Sequence, residues 1–315
     1  MDSFRYFSPK LDRVIESRHI ICYNIDKLME KGARRPPIPQ APQFPRTAAQ
    51  IFYIAGEIMY AKDEYILVFD SGLGGLSVLR ELVNILPRER FLYFGDSRNA
   101  PYGTRSTEEV RRLTEQCVAD HMPRGVKAVV IACNTATAAA IEDLRTKYPN
   151  KIIIGMEPAL KLAADRHPGG RIIVMATNVT LREAKFCALM DRFSARSRVV
   201  PLPCPGLVEY IEQGHLDTPE LRQYLAQLLT PAISEGADAI VLGCTHFPFL
   251  KPLIRELAGP GVEILDGGHG TAMQTLHRLE ARNLLRTGEG SLEFHNSLGT
   301  SQILAFSANL LSIPL

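Results

Sequence analysis

The chain has 315 residues, 46% hydrophobic and 22% charged, with a formal net charge of +2. That composition fits a globular protein long enough for two ordinary domains, and the near-neutral balance gives no reason to expect nucleic acid or a membrane surface as a partner. No apolar stretch approaches the length of a membrane span, and the N-terminus, MDSFRYFSPKLDR, lacks the apolar core of a secretory signal. Six cysteines without framework spacing point to reduced thiols and a cytoplasmic setting.

Residues 1–63 read as an N-terminal extension. Its segment KGARRPPIPQAPQFP cannot hold regular structure, and short helical pieces are expected on either side, over residues 11–29 and 48–60. Met59 stands just ahead of the first convincing strand and is a second possible start. From residue 65 the pattern becomes regular. YILVF reads as a strand, DSGLGG as a tight loop, and residues 76–86 as an amphipathic helix stopped by Pro87. FLYF is the next strand, followed by the polar loop GDSRNAPYGTR and a helix over 107–121 with Thr107 as its N-cap. Strand AVVIA, a helix over 136–147 and strand KIIIG complete this half.

The second half repeats the alternation. Helices are expected over 157–166, 180–192, 206–213, 219–235, 249–257 and 271–284, and strands over 171–176, 199–202, 239–242 and 262–265. The tail carries a weak helical signal over 301–311. Strands alternating with helices define an α/β fold built from βαβ units. The expectation is two similar domains with parallel sheets flanked by helices, and an active site in the cleft between them.

The main chemical clue is a repeat. Strand AVVIA runs into Cys133-Asn134-Thr135, and strand AIVL runs through Gly243 into Cys244-Thr245-His246. A cysteine at the carboxyl end of a buried strand, just before a helix, sits where α/β sheets bind ligands. The helix N-terminus there favours a thiolate or a bound carboxylate. Most cysteines are simply small buried hydrophobes; that is the reading for Cys117 and Cys187, and Cys204 and Cys22 have no obvious base beside them. A metal site from Cys244, His246 and Cys204 rests on weak Cys-x-His spacing, and no metal is expected. In Asp70-Ser71-Gly72-Leu73-Gly74-Gly75 the glycines would let the backbone approach a ligand; the match to a dinucleotide fingerprint is poor because Ser77 replaces its third glycine. Asp70 caps this loop or supports a catalytic base. Asp96 and Pro101-Tyr102-Gly103 form a rigid turn with backbone donors. Thr177 and Thr180 end another strand and serve equally as helix caps, while Glu212 taken alone is an ordinary surface acid.

Taken together, FDSGLGGLS, YFGD with Pro101-Tyr102-Gly103, ACNTA and GCTHFP, in that order, resemble the glutamate racemases of the aspartate/glutamate racemase superfamily. The resemblance implies cofactor-independent interconversion of L- and D-glutamate by two cysteines on opposite faces of the substrate. Cys133 would deprotonate D-glutamate and Cys244 L-glutamate, with Asp70 assisting the first and His246 and Glu212 the second. Asp70, Ser71, Tyr102, Gly103, Asn134, Thr135, Thr245 and His246 would hold the substrate. It further implies D-glutamate supply for peptidoglycan, a homodimer, no direct nucleic-acid partner, and in some relatives a nucleotide-linked cell-wall precursor as activator. The first domain would take residues 64–158 plus 267–315, the second 159–266. Aspartate racemisation, or a binding protein on the same scaffold, are the alternatives.

Overall fold

The structure is a computed structural model and describes residues 21–24, 51–54, 57–182 and 184–313. The extension differs from expectation where it is described. Instead of helices it forms three strands: β1 (Ile21–Asn24), β2 (Ile51–Ile54) and β3 (Glu57–Tyr60). ICYN, IFYI and EIMY are rich in β-branched and aromatic residues, which suit a pleated surface. β2 and β3 pair antiparallel, and only Ala55 and Gly56 separate them in the sequence, too few for a helix to continue through. The Pro-rich segment lies outside the described residues.

Next come β4 (Tyr65–Asp70), α1 (Leu76–Ile85), β5 (Arg90–Gly95), α2 (Thr107–His121), β6 (Val126–Ile131), α3 (Asn134–Lys147) and β7 (Ile152–Gly155). The cap of α2 is Ser106, one residue before the expected Thr107, and its hydroxyl accepts the Glu109 N–H at 3.2 Å. A second run follows: α4 (Leu160–Arg166), β8 (Arg171–Ala176), α5 (Asn178–Arg182), α6 (Ala184–Ser194), β9 (Arg198–Pro203), α7 (Leu207–Glu212), α8 (Pro219–Ser234), β10 (Ala239–Leu242), α9 (Lys251–Ala258) and β11 (Glu263–Asp266). The chain ends with α10 (Gly268–Ala281), β12 (Ser291–Asn296) and α11 (Ser301–Ser312).

The first sheet has the order β1-β12-β5-β4-β6-β7 and the second β11-β10-β8-β9. Within these two sheets every pairing is parallel except that of β1 with β12. After β11 the chain returns to the first sheet: α10 packs on α1, and β12 pairs with β5. β12 is a strand beyond those expected from the sequence. Its residues alternate between partly exposed and buried, with Leu292, Phe294 and Asn296 inward, the period-two pattern of a strand covered on one face.

Strands β4 and β6 are buried along their whole length, as expected for parallel strands with helices on both faces. Lys127 is the charged exception within β6. Its ammonium reaches Glu89 at 2.5 Å and the carbonyls of Lys62 and Leu284 at 2.6 and 2.8 Å. A buried charge persists only when paired and hydrogen-bonded in this way, so this contact ties the end of the extension and the segment after α10 to the sheet. The carboxyl ends of the two sheets face each other, and the loops that follow β4, β5, β6, β8 and β10 meet there.

Candidate active site

Cys133 follows β6 and is the N-cap of α3, its Sγ accepting the Ala136 N–H at 3.4 Å. The Ser71 hydroxyl donates to the same sulfur, also at 3.4 Å. Burial pushes the Cys133 thiol up to about 12, the Asp70 carboxylate adds to the rise, and the two hydrogen bonds offset only part of it. In this half the sulfur meets neutral donors and the end of a helix.

Cys244 follows β10 and is held differently. Its Sγ lies 3.7 Å from His246 Nδ1, and His246 Nε2 lies 2.6 Å from Glu212 Oε1 at the end of α7. Burial opposes a charge on the imidazole, but the hydrogen bonds and charges of Cys244 and Glu212 outweigh it and raise the His246 pKa well above its ordinary value. An imidazolium donates from both ring nitrogens, which suits a sulfur on one side and a carboxylate on the other.

The two halves are stitched across the cleft. Thr245 Oγ1 donates to Asp70 Oδ2 at 3.0 Å, Ser77 Oγ donates to the Thr245 carbonyl at 2.8 Å, and the Leu73 N–H donates to Glu212 Oε1 at 2.7 Å. The glycine-rich loop has a role the sequence did not disclose. A Cβ on Gly72 would fall 2.1 Å from Glu212 Oε1, and one on Gly74 would fall 2.3 Å from His246 Nδ1. The space these glycines leave is therefore filled by the acid and imidazole of the other sheet rather than by a ligand.

Between the cysteines lies a small cavity of about 20 Å³, room for about one water molecule. Cys133, Cys244, Ser71, Tyr102, Gly103, Asn134, Thr135, Thr245 and His246 all line it; Asp70 and Glu212 stand behind that lining. Two placements differ from expectation in detail. Asp70, read as a partner of Cys133, takes its hydrogen bonds from Thr245 and from the Gly72 N–H at 2.9 Å; burial raises its pKa, against the pull of His246. The Tyr102 hydroxyl donates to Asp96 Oδ2 at 2.8 Å and so anchors its own loop. Glu212, which the resemblance implies beside His246, lies 2.6 Å from its Nε2 and also accepts the Leu73 N–H.

Asn134 is buried, and neither atom of its side-chain amide has a hydrogen-bond partner. In an interior that satisfies nearly all polar groups, such an amide at a cavity wall is positioned for a polar ligand. Pro101, Thr177, Thr180, Val208 and Gly243 also line the cavity; by sequence Pro101 belongs to a rigid turn and the two threonines serve equally as helix caps, while nothing marks Val208 or Gly243 as cavity residues. Thr177 and Thr180 bond each other at 2.9 Å, and Thr180 meets Thr135 across the cleft at 3.1 Å. Thr177 caps its helix as well, accepting the Thr180 N–H at 3.2 Å, and that dual use hid its second role.

Of the remaining cysteines, Cys117 is buried and Cys187, expected in a core, is only partly buried. Cys204 is buried, with its Sγ 3.3 Å from the Leu202 carbonyl. Among the described residues no group of three or more His, Cys, Asp or Glu is arranged to hold a metal ion, and no helix is long and apolar enough to cross a membrane. A larger cleft of about 850 Å³ opens between β7, α4 and α10, but none of the sulfur, imidazole or paired hydroxyl groups described above borders it.

Two thiols line one cavity, and one of them is backed by an imidazole–carboxylate pair, groups able to take and give protons. The Asp/Glu/Hydantoin racemase family model matches residues 66–275, and the chain belongs to that family; it is an isomerase of the racemase class. A glutamate racemase of Clostridium perfringens (strain SM101 / Type A) is 47% identical over 247 residues, 78% of this chain and 95% of that protein. The crystal structure of glutamate racemase isoform RacE1 from Bacillus anthracis superposes with a TM-score of 0.74 at 30% identity, over 81% of this chain and 96% of that one. Escherichia coli glutamate racemase, solved with L-glutamate and the activator UDP-MurNAc-Ala, gives 0.68 at 28% identity, over 78% of this chain and 95% of that one.

Proposed function

We propose that the protein interconverts L- and D-glutamate without a cofactor, using Cys133 and Cys244 as the two proton-transfer groups. The observation that carries this reading is the pair of cysteines lining one cavity beside the unpartnered Asn134 amide. A five-carbon diacid does not fit about 20 Å³, so substrate enters when the two sheet edges separate, and closure then excludes water. The Cα proton of L-glutamate passes to the Cys244 thiolate, and its electron pair stays on Cα, delocalised into the carboxylate. The Cys133 thiol donates a proton to the opposite face. The enzyme is left with a Cys244 thiol and a Cys133 thiolate, the state that accepts D-glutamate. Asn134, Ser71 and Thr135, with backbone N–H groups at the start of α3, hold the substrate carboxylate where negative charge develops.

The high Cys133 value suits its role as the acid toward L-glutamate. The His246–Glu212 pair suits Cys244 as the base. Residues 64–158 with 267–315 serve as one domain and 159–266 as the other. Supply of D-glutamate to peptidoglycan in the cytoplasm, a homodimer, and activation by a nucleotide-linked precursor, as named for the E. coli relative, extend the same reading. The test is incubation with each enantiomer of glutamate and of aspartate, followed by chiral analysis. Inversion of glutamate supports the assignment; inversion of aspartate alone overturns it.

A further inference from the structure

The loop after β4 and the acid at the end of α7 belong to different sheets, yet they meet through a single polar contact at the centre of the site. Glu212 Oε1 accepts two hydrogen bonds, one from His246 Nε2 at 2.6 Å and one from the Leu73 N–H at 2.7 Å. Gly72 and Gly74 on either side of Leu73 admit this approach, since a Cβ on either would collide with Glu212 or His246. Nothing comparable holds the other cysteine: Cys133 is contacted by Ser71 and Ala136, both from its own sheet.

We propose that the backbone N–H of Leu73 is a positioning group for the Cys244 half of the reaction: it fixes the Glu212 carboxylate that holds His246, so the base at Cys244 is complete only while the two sheet edges are together. The Glu212 side chain is partly exposed at the end of a six-residue helix, and a carboxylate so placed has other rotamers open to it. A second donor on the same oxygen restrains it, and charge-assisted bonds of this kind are the stronger class. With the Leu73 donor withdrawn, Glu212 either turns away or takes the proton from His246. Both outcomes remove the imidazolium from beside the Cys244 sulfur. Closure over substrate would then do two things at once, excluding water and arming one of the two bases. Cys133 has no such dependence.

The inference rests on the racemase reading for its meaning in catalysis, but its test does not depend on that reading. Replacing Leu73 by its α-hydroxy acid analogue turns the amide into an ester, which removes the N–H and keeps the buried side chain. Alkylation of Cys244 and Cys133 by iodoacetamide is then followed in the same molecules by mass spectrometry across pH. The ester should slow Cys244 labelling at neutral pH by about tenfold, in line with loss of one charge-assisted hydrogen bond, and leave Cys133 labelling within about twofold. Equal slowing at both cysteines, or none at Cys244, would overturn the proposal. If the ester variant does not fold, hydrogen exchange in the otherwise unmodified chain decides. The Leu73 amide should exchange roughly tenfold faster in Glu212→Ala than in the wild type, and an unchanged rate would overturn the proposal. Glutamate inversion by the wild-type protein is scored separately, so failure of the racemase reading and failure of the positioning role give different results.

Discussion

Cys133 and Cys244 end equivalent strands in the two sheets, and the sequences around them look like copies of one motif, but the structure surrounds them in opposite ways. Cys133 is buried against hydroxyl and amide donors beside the Asp70 carboxylate. Cys244 stands against an imidazole held protonated by a carboxylate. A racemase must treat both faces of Cα, so a symmetric pair of bases would be the simplest design. The difference teaches that two strand ends alike in sequence surround their sulfurs differently: burial and the Asp70 carboxylate raise the Cys133 thiol, whereas the Cys244 sulfur faces an imidazole whose own pKa is raised by its partners.

That contrast can be broken in order of expected effect. Cys133→Ser and Cys244→Ser should each lower racemisation by about 10⁴-fold, the upper range for a positioned acid or base. Near-normal turnover in either would remove the two-base account, since the contrast would then have no chemical role. His246→Gln and Glu212→Gln should lower kcat by about 10²-fold and act on one side only. The primary deuterium isotope effect from 2-deuterated L-glutamate should rise relative to that from D-glutamate, because proton removal by Cys244 becomes the harder step. Equal changes from both sides would mean that the imidazole serves both thiols.

The pH dependence of labelling sharpens the comparison further. A thiol raised to about 12 is a thiol, not a thiolate, throughout the neutral range. Cys133 alkylation should therefore climb roughly tenfold per pH unit from pH 7 to 11. A plateau below pH 9 would show that its burial has been overvalued. The smallest effect is expected at the link between the halves. Thr245→Val removes the hydroxyl that donates to Asp70 and should cost about 1 kcal/mol of stability in urea titration. It should also shift both halves slightly rather than one.

Much of this was legible in the sequence because the signals are strong and local. Uninterrupted apolar runs such as AVVIA mark buried parallel strands, and cysteine followed by polar residues at two strand ends points to the candidate site. What escaped depends on partners distant in the chain. β1 and β12 are short segments whose pairing, β1 with β12 and β12 with β5, joins parts of the chain far apart in sequence. Glu212 taken alone looks like a surface acid; the resemblance sets it with His246, but its bond from Leu73 of the other sheet has no local signal. Asp70 is 175 positions from the threonine whose hydroxyl it accepts, a contact that no local pattern encodes. Thr177 and Thr180 are adequately explained as helix caps, so their place at the cavity wall left no separate mark.

The account's central claim is that separate groups on opposite faces of Cα remove and return the proton, and isotope placement tests this most directly. With L-glutamate in deuterated water at low conversion, the D-glutamate formed should carry deuterium at Cα while the remaining L-glutamate keeps its protium. D-glutamate that retains the original protium would show a single group carrying the proton from one face to the other, and would contradict the assignment of Cys133 and Cys244 as two opposed bases.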